Sequence, residues 1–90
     1  MAKLYRNKEG KKLYPVCSWE QNQHKLYNAH DRAMNEYYDT NYSDKAYEEV
    51  ERVDKAMEAF EKHVINGIVY ATWEDGQLIK DIVWAYNARH

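Results

Sequence analysis

Five side chains in this sequence have the chemistry of a nucleophile, base or metal ligand: Cys17, His24, His30, His63 and His90. No two of them stand at the close spacing of a zinc motif. His24 and His30 are six apart, which puts them on different faces of a helix. Cys17 precedes a helix start, where the helix dipole lowers a thiol pKa. His24 lies almost two turns further on, too far for a local Cys–His pair, so Cys17 reads as a small buried hydrophobe. His30 falls on an apolar stripe and reads as a partly buried histidine satisfied by a neighbour such as a tyrosine hydroxyl. Carboxylates abound in residues 36–61, but on a helix face shared with Lys and Arg, and no glycosidase-like couple stands out. The three glycines are scattered as turn or cap residues and form no phosphate loop. The expectation is a chain with no catalytic residue, no metal and no cofactor.

Two surface constellations remain. The first is the stretch EYYDTNYSDKAYEE, residues 36–49. It interleaves Tyr37, Tyr38, Tyr42 and Tyr47 with Glu36, Asp39, Asp44, Glu48 and Glu49. Four rings at one turn cannot all face a core, so aromatic surface is expected beside concentrated negative charge. Such a patch suits a basic protein surface, including one that ordinarily holds nucleic acid. The second is a basic N-terminal segment with Lys3, Arg6, Lys8, Lys11 and Lys12 around Tyr5 and Tyr14. Cations hold phosphates while tyrosines stack on bases, and Lys3, Tyr5, Arg6, Lys8, Lys11 and Lys12 are the candidate nucleic-acid contacts.

Composition supports a folded chain: 44% of the 90 residues are hydrophobic and 31% charged, outside the range of disorder. The net charge of −2 hides an imbalance. Residues 1–35 hold seven Lys/Arg against three acids, and residues 36–61 hold three against nine, so the molecule is electrically polar. Nine tyrosines stand against one phenylalanine, a bias common where a small protein meets a partner. One cysteine excludes an internal disulfide and points to a reducing compartment. No apolar run is long enough to cross a membrane, and the first residues lack the apolar core of a signal peptide. A single small domain, residues 1–90, in the cytoplasm is expected.

The elements that position these residues are centred on residues 43–67, SDKAYEEVERVDKAMEAFEKHVING. Ala46, Val50, Val53, Met57, Phe60 and Val64 recur at spacings of four and three, a heptad-like seam. Ser43 is the expected N-cap and Gly67 the closing residue. Glu48/Arg52, Glu51/Lys55 and Glu58/Lys62 are spaced for ion pairs on the opposite face. Upstream, residues 3–17 read as a hairpin turning around Lys8-Glu9-Gly10, with Pro15 ending the second strand or keeping it at an edge. Ser18 and Gln21 have capping-box spacing and open a helix to about Asp39. Its apolar stripe runs through Trp19, Leu26, Tyr27, Ala33, Met34 and Tyr37. A few turn formers, DTNY, force the two helices antiparallel. Residues 68–73 read as a strand. Glu74-Asp75-Gly76 reads as a hairpin turn. Residues 77–90 suit a strand or a helix, and the preceding turn favours the strand.

The expected fold is therefore α+β. Hairpins at the N- and C-terminal ends join in one antiparallel sheet packed on a two-helix antiparallel hairpin, in the order β-β-α-α-β-β, and the last segment has a helical alternative. The expected function is that of a small non-catalytic protein-binding module. A phage or mobile-element accessory protein that inhibits a host nucleic-acid-handling or defence enzyme fits such a chain, and a nucleic-acid-binding protein using the basic hairpin is the alternative. A homo-oligomer is also expected to be accessible, because the seam and the small core both favour a second copy.

Overall fold

The computed structural model describes residues 5–88, with side chains to residue 85. The elements are β1 (Tyr5–Arg6), β2 (Lys12–Ser18), α1 (Trp19–Asp39), α2 (Asp44–Lys62), β3 (Val64–Ile65), β4 (Ile68–Ala71) and α3 (Trp73–Ala88). The fold is α+β, and its first six elements follow the expected β-β-α-α-β-β order. All four strands lie in one antiparallel sheet, ordered β1-β2-β4-β3, so the two hairpins meet through β2 and β4.

The first hairpin forms because its turn satisfies itself. The Asn7 side-chain oxygen accepts from the amides of Glu9 and Lys11 at 3.0 and 2.9 Å, and Gly10 supplies a φ of 82°. Pro15 is a correction. It sits inside β2, a central strand, opposite Tyr70. A register shift between Pro15 and Cys17 breaks the ladder there, and such a bulge accommodates a residue with no amide to donate.

Both long helices begin where their caps predict. Ser18 Oγ accepts from the Gln21 amide at 3.4 Å, and Ser43 Oγ from the Ala46 amide at 3.2 Å. The helices lie side by side and antiparallel. Tyr27 donates to Glu61 at 2.7 Å, and His30 Nε2 meets Asp54 Oδ1 at 2.8 Å. Of the expected seam, Ala46, Val50, Val53 and Phe60 are buried and Met57 half-buried, with Ala56 and Ala59 buried beside them, and all but Ala46 pack in one cluster with Leu26 and Ala33 of α1.

The end of α2 differs from expectation. The helix stops at Lys62, and Val64–Ile65 pairs with Ile68–Val69 instead of extending the seam. Asn66 and Gly67 take φ of 53° and 79°, the two positive values of a two-residue type I′ turn. Gly67 therefore turns a hairpin, and Val64 leaves the core. The β-branched residues on both sides of the turn gain more as a ladder than as a last helical turn.

The segment after β4 is also a correction. Glu74-Asp75-Gly76 is the first turn of α3, and the residues after it take the helical alternative. Thr72 Oγ1 accepts from the Asp75 amide at 3.4 Å, and the Gly76 amide donates to Thr72 O at 2.8 Å. Threonine is thus the N-cap, and Glu74 and Asp75 favour the positive helix end. Gly76 lets α3 sit close to β2: a Cβ there would lie 3.3 Å from Val16 Cγ2, which would have to give by a few tenths of an ångström. Ile79, Ile82 and Val83 of α3 join Val69 and Ala71 of β4 and the α1–α2 seam in one core.

Candidate functional site

The connection between α1 and α2 is built from its hydrogen bonds outward. Thr40 caps α1, and its amide and hydroxyl both donate to Glu36 O, at 2.9 and 2.8 Å. The Asn41 amide donates to Tyr38 O at 3.1 Å and the Tyr42 amide to Tyr37 O at 2.9 Å. This is the Schellman arrangement, with asparagine in the left-handed position. Its usual apolar contact is present too, because the Tyr42 and Tyr37 rings lie 5.2 Å apart. Tyr42 itself has φ of 63°, a strained value for a bulky side chain, of order 1–3 kcal/mol.

Tyr37 is the hub of the ring cluster. Its half-buried ring also meets Tyr38 at 6.0 Å and Tyr47 at 5.4 Å, and Tyr38 meets Tyr42 at 5.9 Å. Each such pair contributes roughly 0.5–1.5 kcal/mol beyond burial. The other three rings face solvent: Tyr38 is 54% exposed, Tyr42 60% and Tyr47 47%. Glu36, Asp39, Asp44 and Glu48 are exposed around them. Among the described residues none of these four carboxylates sits in an ion pair. The predicted residues are thus brought together at one elbow, with exposed rings amid uncompensated negative charge.

A half-open groove of about 520 Å³ begins at this elbow, at Glu36, Thr40 and Ser43, and runs on between the helices. Its apolar lining includes Ala29, Ala33, Ala46, Val53 and Ile82, and its rim carries Arg32, Lys45, Glu49 and Arg52. Arg52 makes a two-point contact with Glu49, at 3.0 and 2.9 Å. That bond and the adjacent carboxylate raise the guanidinium pKa further. The expected Glu48/Arg52 pair is replaced by this one, three residues apart. Among the described residues, Glu51/Lys55 and Glu58/Lys62 do not close to ion-pair distance. The sequence signal for the groove was the alanines on facing helix flanks, which leave space that larger residues fill.

The described cations of the basic hairpin are exposed, and two of them have partners within it. Arg6 Nη1 donates to Gly10 O at 2.8 Å, and Lys11 lies 4.0 Å from Glu9. Tyr5 is half-buried, its ring 4.9 Å from Tyr70. Lys8 and Lys12 are exposed, and Lys12 Nζ lies 5.0 Å over the Tyr14 ring. Lys3 and His90 lie outside the described residues.

The chemically versatile side chains are dispersed. His30 is held by the Asp54 carboxylate rather than by a tyrosine hydroxyl, because α2 presents an acid at that height. Cys17 is half-buried in β2. Burial pushes its thiol pKa up, while Lys25 and Lys80 pull it down less. Among the described residues no three His, Cys, Asp or Glu side chains gather as a metal site, and no helix is long and apolar enough to cross a membrane. No protein-family model, curated protein or solved structure matches the chain.

Proposed function

We propose that the chain is a small non-catalytic protein-binding module whose elbow docks on a basic surface of a partner protein. The observation that carries this reading is the placement of three solvent-facing tyrosines among four unpaired carboxylates. Exposed rings offer contact area at low entropic cost, and the charge steers a cationic partner and sets its orientation. The groove beside the rings gives an anchoring side chain of the partner a recess. A basic protein face that ordinarily holds nucleic acid has the complementary charge. Occupying it would inhibit a nucleic-acid-handling or defence enzyme, the role of an accessory protein carried by a phage or mobile element.

The test is affinity capture from a host lysate with the natural chain and the Tyr38→Ala/Tyr42→Ala variant side by side. The natural chain is expected to retain a basic nucleic-acid-binding protein that the variant loses, with both proteins equally folded by circular dichroism. Equal recovery by the variant removes the elbow from the mechanism.

A further inference from the structure

Two of the three tryptophans are turned outward. Trp73 is 62% exposed and Trp84 69%, on a residue type that folding normally covers. They stand eleven residues apart on α3, three helical turns, so both lie on one face about 16 Å apart. Gln77 and Lys80 fall between them at helical spacing. Tyr14 of β2 continues the row, its exposed ring edge-on to Trp73 at 5.8 Å with Lys12 above it. Between Trp84 and the sheet is a recess of about 180 Å³ lined by Val16, Cys17, Lys80 and Val83. Lys25 and Lys80 both act electrostatically on Cys17 in its lining. Among the described residues Lys12, Lys25 and Lys80 have no ion-pair partner. The acids of α3 are Glu74 and Asp75 in its first turn and Asp81, whose charge reaches Arg52.

We infer that the row Tyr14–Trp73–Lys80–Trp84 is a binding surface for single-stranded nucleic acid. Flat rings with open faces accept bases of any sequence, and unpaired lysines beside them take the phosphates. A protein or a second copy would be expected to cover rings with few charges among them, since lysine and the acids are depleted at interface cores. Lys12, Lys25 and Lys80 stand outside any ion pair among the described residues, and a polyanion is the ligand of complementary charge. The surface lies on α3 and β2, outside the elbow, and it takes in Lys12 and Tyr14 of the basic hairpin.

The exposed tryptophans provide the readout. Titrating the full chain with a poly(dT) oligonucleotide at low salt is expected to quench tryptophan emission. With about three phosphates neutralised, log affinity should fall with log salt at a slope of about −2. Trp84→Ala and Trp73→Ala are each expected to weaken binding roughly tenfold. Lys80→Glu should weaken it and flatten the salt slope, and Tyr38→Ala/Tyr42→Ala should leave it unchanged. All these positions are exposed or half-buried, and a urea midpoint confirms folding of each variant. No quenching by poly(dT), equal affinity for duplex of the same length, or binding unaffected by Trp84→Ala overturns the assignment. So does quenching that instead follows phosphatidylserine vesicles, or that accompanies self-association in sedimentation.

Discussion

The Tyr27 hydroxyl on α1 donates a 2.7 Å hydrogen bond to the Glu61 carboxylate on α2, tying the helical hairpin together near its open end. The bond and the carboxylate's charge both raise the tyrosine pKa above its ordinary value. The neutral phenol is the form the fold favours. The contribution is present in full below the unfolded pKa of about 10 and is lost as pH rises through the higher folded value. Ultraviolet difference titration is expected to show one tyrosine ionising later than in Glu61→Gln. Identical titration curves for the two proteins would refute this.

Tyr42 occupies a left-handed backbone position that glycine fills without strain. Tyr42→Gly relieves that strain and loses ring contacts of similar size, so stability should change by less than about 1 kcal/mol. Partner capture by the elbow should fall nonetheless. Urea unfolding and capture measured on the same preparation check this. A loss of several kcal/mol would mean that the ring serves the fold rather than the surface.

Gly67→Ala forces a methyl group into the second position of the β3–β4 turn and is expected to cost about 1–2 kcal/mol. Asn66→Gly should be close to neutral, since both residues adopt positive φ. The urea midpoint should shift for the first variant with no change in slope. Equal midpoints would contradict the turn assignment.

Gly76 tests how closely α3 sits on the sheet. Gly76→Ala gains helix propensity of about 1 kcal/mol, offset by crowding of Val16. Gly76→Leu has no such room and should destabilise by about 1–3 kcal/mol. Two variants of equal stability would show that α3 rides further from β2.

Cys17 should alkylate more slowly in the native protein than in urea at the same mildly alkaline pH, because burial favours the neutral thiol. Equal rates would place the sulfur in open solvent.

The elements legible in the sequence are those whose ends carry a local signal. Ser18 and Ser43 cap helices as their types predict, and Gly10 turns a hairpin where expected. The grouping of rings and acids at the elbow was legible because sequence neighbours at a tight turn stay spatial neighbours. The misread points were competitions between two good local signals. Asn66-Gly67 serves a helix end or a type I′ hairpin, and the strand partner that decides between them, β2, is fifty residues away. Glu74-Asp75-Gly76 looks like a turn until Thr72 is recognised as its cap. The exposure of Trp73 and Trp84 depends on which face α3 turns to β2, and no local pattern specifies that. The alternation of Ile79, Ile82 and Val83 is compatible with either structure until packing selects one.

The meeting of the two hairpins through β2 and β4 is a contact between segments far apart in the sequence. The backbone amide of Trp19, the first residue of α1, donates to the carbonyl of Gly67 at 2.9 Å, and the β2–β4 ladder joins Tyr14 to Ala71. The paired helices need only a short loop to find each other, whereas β2 must wait for β4, which is made much later. Core truncations between the helices should therefore retard refolding, while lesions in the β2–β4 seam should chiefly hasten unfolding. During synthesis β2 emerges some fifty residues ahead of β4, its partner across the centre of the sheet.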